Sequence, residues 1–133
     1  MKVLLFNGSP HKNGCTYTAL EEISKTLKEE GIDSEIYQIG IKSLTPCRAC
    51  GACSKIGKCV INDDDVNNFV EKCKDFDGFI FGSPVHYASA SGGITVFLDR
   101  DFSQHLYQGE ERFFLISRLP QLQVQDAPEQ LRH

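Results

Sequence analysis

Val3-Leu4-Leu5-Phe6-Asn7-Gly8-Ser9-Pro10-His11-Lys12-Asn13-Gly14-Cys15-Thr16 joins a short apolar run to a loop of glycine, hydroxyl and amide side chains. Lys2 to Phe6 is short, apolar and closed by a glycine turn, the pattern of a buried strand. Thr16 to Glu30 carries Ala19, Leu20, Ile23 and Leu27 on one helical stripe, with Glu21 and Lys25 at i,i+4 spacing and Gly31 as the stop. In such a strand–loop–helix unit the helix directs its first amides and the positive end of its dipole at whatever the loop holds. The loop is therefore read as an anion site. Gly8 and Gly14 permit close backbone approach, while Ser9, Asn13 and Thr16 donate hydrogen bonds without formal charge, which suits a phosphate monoester.

Further along, Ser34 to Ile39 alternates as a second strand, and Gly40 to Asn62 has neither period but holds four of the six cysteines. Asp63-Asp64-Asp65 places acceptors at a helix start, and Val66, Phe69, Val70 and Cys73 form the buried face of a helix reaching Lys74. Gly78 to Phe81 is a third strand closed by Gly82-Ser83-Pro84. A third helix runs from Gly92 or Gly93 through Arg100, with Ile94, Phe97 and Leu98 inward. Strands alternating with helices predict an α/β fold, a doubly wound parallel sheet of order 2-1-3-4. The 133 residues suit one domain, 1–133, with a cysteine-rich loop at 40–62.

The composition changes after Arg100: nine lysines occur up to Lys74 and none later, while six of seven glutamines fall at Gln104 or beyond. Phe113 to Ile116 reads as a fourth strand, and no fifth is found. Residues 101–133 are thus read as an atypical tail, either truncated or in a shifted frame, ahead of a naturally short homologue.

A formal charge of −4 and a pI near 5.5 leave no basic stripe, which argues against nucleic acid as a partner. No apolar segment is long enough to span a membrane, and the opening apolar run is too short for a signal peptide. The expectation is a cytoplasmic protein, where six cysteines point to metal ligands or reactive thiols rather than disulfides.

Gly82-Ser83-Pro84-Val85-His86-Tyr87-Ala88-Ser89-Ala90-Ser91-Gly92-Gly93 forms a second small-residue loop. In a 2-1-3 sheet it flanks the first loop at the switch point, where both ends of one ligand can be held. Tyr87 offers a ring for stacking, and Ser83 to His86 offer backbone amides to a ring edge. His86 alone reads by default as a surface or satisfied core histidine. The Walker pattern is excluded, because five residues separate Gly8 from Gly14 and no lysine follows. The dinucleotide fingerprint is absent, and no cysteine has the arginine that a cysteine-dependent phosphatase loop needs.

The blocks Gly8 to Thr16, Asp77 to Tyr87 and Phe97-Leu98-Asp99-Arg100 together resemble the NADPH-dependent FMN reductase and iron-sulfur flavoprotein family, of flavodoxin-like fold. The resemblance covers residues 1 to about 100. It implies that Ser9, Asn13, Gly14, Cys15 and Thr16 cradle the FMN phosphate, and that Ser83, Pro84, Val85, His86 and Tyr87 border the isoalloxazine. It further implies NAD(P)H as electron donor and a homodimer or higher homo-oligomer. No block matching the family's loop after the fourth strand is found around Ser117 to Pro120.

Cys47, Cys50, Cys53 and Cys59 have the spacing C-x2-C-x2-C-x5-C. Three thiolates at successive short intervals can wrap one face of a cubane, with a fourth arriving after a turn. Bare reduced thiols are the second reading, ahead of structural zinc, which more often uses two separated pairs. The resembling flavoproteins carry a compact four-cysteine [4Fe-4S] motif. Cys73 lies on an apolar helix face and reads as core; Cys15 reads as small-residue packing. Three functions are then in play: a flavin oxidoreductase serving a small-molecule or protein acceptor, an FMN and iron-sulfur electron-transfer module without its own substrate, and an inactive truncated copy.

Overall fold

The computed structural model describes residues 1–39 and 42–108, with the side chains of 102 and 105–108 outside that description. Strand β1 (Lys2–Asn7) is followed by α1 (Cys15–Glu29) and β2 (Asp33–Gln38). The cysteine segment contains one short helix, α2 (Cys53–Ile56), then come α3 (Val66–Cys73) and β3 (Gly78–Gly82). A two-residue pair, β4 (Val85–His86) and β5 (Ser89–Ala90), precedes α4 (Gly92–Gln108).

β1 sits between β2 and β3, both pairings parallel, with Leu5 opposite Ile36 on one side and Ile80 on the other. The 2-1-3 part of the expected order is observed; Phe113 to Ile116, the expected fourth strand, lies outside the described residues. Parallel neighbours require crossovers that cover both faces, so the central strand must be apolar throughout, as Val3 to Phe6 is. Its period of two then divides the core. Val3 and Leu5 meet Leu20, Ile23 and Leu27 of α1 on one face. Leu4 and Phe6 meet Val66, Phe69, Val70, Ile94 and Phe97 of α3 and α4 on the other. Phe6 lies 4.4 Å from Phe97 and 5.1 Å from Phe69 between ring centres, an aromatic cluster that compensates for the absence of tryptophan.

α1 ends where Gly31 predicts. Its φ of +75° lets Ile32 N–H reach Leu27 O at 2.8 Å and Gly31 N–H reach Lys28 O at 3.0 Å, the paired bonds of a Schellman cap. Lys25 pairs with Glu22 at 2.9 Å rather than with Glu21, and that exposed pair adds little to stability. The third helix does not stop at Arg100 but runs two turns further to Gln108. Its inward face continues beyond Phe97 through Arg100, Asp101 and Gln104, all at most 1 % exposed. Those polar residues ended the visible apolar stripe without ending the helix. Residues 101–108 thus belong to the fold, and the remainder of the expected tail lies outside the described residues.

Candidate functional site

The first loop is braced from within. Asn7, fully buried at the end of β1, donates through Nδ2 to Gln38 Oε1 at 2.6 Å and to His11 O at 3.3 Å, and its Oδ1 accepts Ser9 N–H at 3.0 Å. Gln38 Nε2 donates in turn to Ser9 O, and Ser9 Oγ accepts His11 N–H at 3.2 Å. Ser9 is thus buried and partly occupied in shaping the turn, whereas Asn13 and Cys15 are exposed and Gly14 and Thr16 half-buried. Cys15 is exposed at the first position of α1, not packed away. Gly14 is the N-cap, extended at φ −85° and ψ −179°, and among the described residues no side chain caps the first turn. The leading amides of α1 are left for another acceptor.

The second loop is fastened directly to the first. Gly8 N–H donates to Gly82 O at 2.7 Å, and a β-carbon on Gly8 would stand only 2.8 Å from that oxygen. Ser91 joins three segments: its amide donates to Ser83 Oγ at 2.9 Å, its hydroxyl donates to Gly8 O at 3.3 Å, and the same oxygen accepts Ile94 N–H at 3.4 Å. It is therefore the N-cap of α4 as well. Ser83 Oγ donates to Pro84 O at 2.8 Å. Val85 to Ala90 form an antiparallel hairpin whose turn residues, Tyr87 and Ala88, have φ of 50° and 59°. Positive φ at both central positions is a type I′ conformation, built here without the usual Asn-Gly. His86 is exposed, and Tyr87 projects with full exposure of its ring.

All six cysteines fall among the described residues, and none is disulfide-bonded. Cys47, Cys50, Cys53 and Cys59 line one cavity of about 150 Å³, closed on one side by Arg100, Ser103 and Gln104 of α4. Left-handed backbone at Ala49 (φ 53°), Gly51 (φ 70°) and Gly57 (φ 76°) curls the chain around it. Cys47 Sγ lies 3.9 Å from Ser103 Oγ, and Cys53 Sγ 4.0 Å from Ser103 O. Burial pushes the Cys53 thiol up, and the Cys59, Cys47 and Cys50 side chains push it further in the same direction. The four sulfurs thus share one electrostatic neighbourhood. Among the described residues no three His, Cys, Asp or Glu side chains converge on a point that would hold a single metal ion.

The cysteine segment is tied to the core through Asp64 and Arg100, an ion pair with both side chains at most 1 % exposed. Asp64 also accepts Val66 N–H at 3.3 Å and Thr45 N–H at 3.4 Å, so the expected acidic helix start is realised by the middle aspartate. Arg100 donates to Thr45 O at 3.2 Å and Ile61 O at 2.9 Å. Burial lowers the Arg100 pKa, but the Asp64 carboxylate bonded to it and the neighbouring Cys59 side chain outweigh that and leave the guanidinium more firmly protonated. Gln104 Oε1 accepts Cys59 N–H at 3.0 Å, and Asn67 Nδ2 donates to Cys59 O at 2.9 Å. Asn7, Gln38, Ser91, Asp64 and Gln104 were not singled out from sequence as site residues. Asn7 carried a local signal, a polar residue closing a wholly apolar strand, and Asp64 lay in the acidic run expected at a helix start.

A parallel 2-1-3 sheet with two small-residue loops at its carboxyl edge defines a flavodoxin-like α/β protein. The chain belongs to the NADPH-dependent FMN reductase family, whose model matches residues 1–116. It is 39 % identical over 100 residues to an iron-sulfur flavoprotein of Methanocaldococcus jannaschii, covering 75 % of this chain and 51 % of the relative. It is 35 % identical over 102 residues to an iron-sulfur flavoprotein of Clostridioides difficile, covering 75 % and 45 %. The chain thus spans about half the length of these curated relatives. Two solved structures share the fold: a flavone reductase (TM-score 0.58, 24 % identity, 75 % of this chain and 29 % of that one), and RosB, solved with 8-demethyl-8-formylriboflavin-5′-phosphate bound (TM-score 0.55, 17 % identity, 74 % and 41 %). Among the described residues no helix is long and apolar enough to cross a membrane.

Proposed function

We propose that this chain is the FMN-binding part of an NAD(P)H-dependent oxidoreductase that also carries a [4Fe-4S] cluster on Cys47, Cys50, Cys53 and Cys59. The observation that carries the reading is the backbone bond from Gly8 to Gly82. It holds the uncapped first turn of α1 and the Ser83 to Tyr87 segment at one edge of the sheet, so that one elongated ligand can meet both. The amides of Cys15 and Thr16, with Ser9 and Asn13, would take a phosphate there through the helix terminus. Nothing inside the fold demands glycine at position 14, where an added β-carbon would meet His11 at an ordinary 3.5 Å. Ligand approach is a reason for it. Ser83, Pro84, Val85 and His86 would border the ring of the flavin, and Tyr87 would cover its face.

FMN, when bound, supplies hydride and single-electron chemistry. This chain's residues bind and orient it: Asn7 and Gln38 set the phosphate loop, and Ser91 fixes where the hairpin leaves the core. Four thiols around one cavity at C-x2-C-x2-C-x5-C spacing favour a multi-atom cluster over a single ion. α4 runs from the hairpin at Gly92 to the cavity at Ser103, about 16 Å along its axis. One helix would thus bridge the two centres. The acceptor would be a small molecule or a protein, and a second subunit would complete the flavin site in a cytoplasmic homo-oligomer.

The test is the visible spectrum of protein purified without oxygen, before and after dithionite, with iron, acid-labile sulfide and FMN determined on the same sample. Flavin bands and a broad shoulder that both bleach are the expected result. A colourless chain after reconstitution with FMN, iron and sulfide would sink the reading. The second reading, an electron-transfer module, is favoured by the cysteine cavity alone and predicts no steady NADPH oxidation.

A further inference from the structure

Arg100 holds more donors than its protein partners use. Its side chain is completely buried on α4, with Nη1 directed at Asp64 and Thr45 O and Nη2 at Ile61 O. Its Nε is buried with no hydrogen-bond partner among the described residues. The same side chain lines the cavity shared by the four cysteines, Cys59 among them. A guanidinium has five N–H groups in a fixed fork, so two anchored edges determine where the third points. Arg48, Lys55 and Lys58 are exposed, and water screens their charge; the charge of Arg100 is not screened in that way.

We propose that Arg100 is a positioning residue that sets the reduction potential of the centre held by Cys59 and its three partners, with Asp64 as the counter-charge that moderates it. The inference rests on the four cysteines holding an iron-sulfur cluster. When such a centre accepts one electron from dithionite it becomes one unit more negative, with no bond broken. An N–H donor and a fixed positive charge beside a ligating sulfur favour that reduced form, and hydrogen bonds to the sulfurs are among the terms that set such potentials. Asp64 draws on the same guanidinium and opposes the effect. The two residues of the pair therefore act on the centre with opposite sign.

The test is an anaerobic redox titration of the 133-residue chain reconstituted with iron and sulfide, following the low-temperature paramagnetic signal of the reduced cluster. Arg100→Gln should make the centre harder to reduce, lowering the reduced-to-oxidised ratio at a fixed poise by about tenfold or more, the worth of one hydrogen bond to a charged group. Arg100→Lys should recover part of that loss. Asp64→Asn should shift the ratio the other way. A purely structural strut predicts equal direction for both sides of the pair, and either equal shifts or unchanged potentials would overturn the proposal. Should the variants not take up the cluster, nitrogen-15 arginine in a chain whose Arg48, Arg112, Arg118 and Arg132 are replaced by lysine, leaving Arg100 as the sole arginine, decides. A guanidinium nitrogen coupled to the reduced cluster supports the role, and its absence overturns it. Failure of the unaltered chain to bind iron and sulfide would instead remove the cluster reading itself, and this inference with it.

Discussion

Gly8, Gly14 and Gly82 look alike in the sequence but are constrained by different things. At Gly8 a β-carbon would meet both Gly82 O and Ile94 Cδ1 at 2.8 Å, and backbone cannot yield as a side-chain tip can. Gly8→Ala should therefore cost about 1–3 kcal/mol, read as a lowered urea midpoint at unchanged slope. Gly14→Ser should do the reverse to stability, because serine is at least as good an N-cap and would gain a few tenths of a kcal/mol. The same hydroxyl would occupy the amides left open for phosphate, so FMN affinity by fluorescence titration should fall while the fold strengthens. A fall in both quantities would show that Gly14 serves the fold alone. The anion loop was legible because glycine, hydroxyl and amide residues sit together. Asn7 and Arg100 were not legible as structural residues, and Asp64 only as a helix start, because a polar side chain buried by a partner 31 or 36 positions away looks the same as one in water.

Among the elements, the strands and the first two long helices could be read from periodicity, since apolar side chains dominate their inward faces. α4 was read short because its inward face passes from Phe97 to Arg100 and Gln104. The hairpin was missed for a related reason: Tyr87 and Ala88 are poor type I′ residues, and their φ of 50° and 59° costs free energy that the flanking bonds at Ser83 and Ser91 must offset. Replacing them with the preferred pair, Tyr87→Asn with Ala88→Gly, should raise stability by about 1–2 kcal/mol in denaturant titration. The same change removes the exposed ring, so flavin binding should weaken. A double variant that bound FMN as before would show that Tyr87 does not cover the flavin.

At the scale of the whole molecule, the two faces of the sheet have different work. The α1 face is aliphatic, whereas the α3 and α4 face holds the aromatic cluster on which Tyr37 packs, 4.8 Å from Phe69 and 5.6 Å from Phe6. Burial pushes Tyr37 up to about 12, helped by the charges of Asp65, Cys73 and Asp64. The unfolded phenol titrates near 10. The stability Tyr37 contributes as a neutral ring is thus fully present below about pH 10 and is lost as pH rises toward 12. Tyr37→Phe should flatten stability against pH over that alkaline window and leave neutral pH little changed, measured by urea midpoints across the range. An unaltered alkaline slope would place the titration elsewhere.

The seam between the two loops carries one backbone hydrogen that belongs to both. The Gly8 amide is enclosed by Gly82 O and the Ile94 side chain, so solvent deuterium can reach it only when the first loop and the strand end before the second part company. Its exchange rate is therefore a clock for that separation, readable in the empty protein. One backbone proton, followed by mass or resonance, would tell how often the edge of the sheet comes unstitched before any ligand arrives.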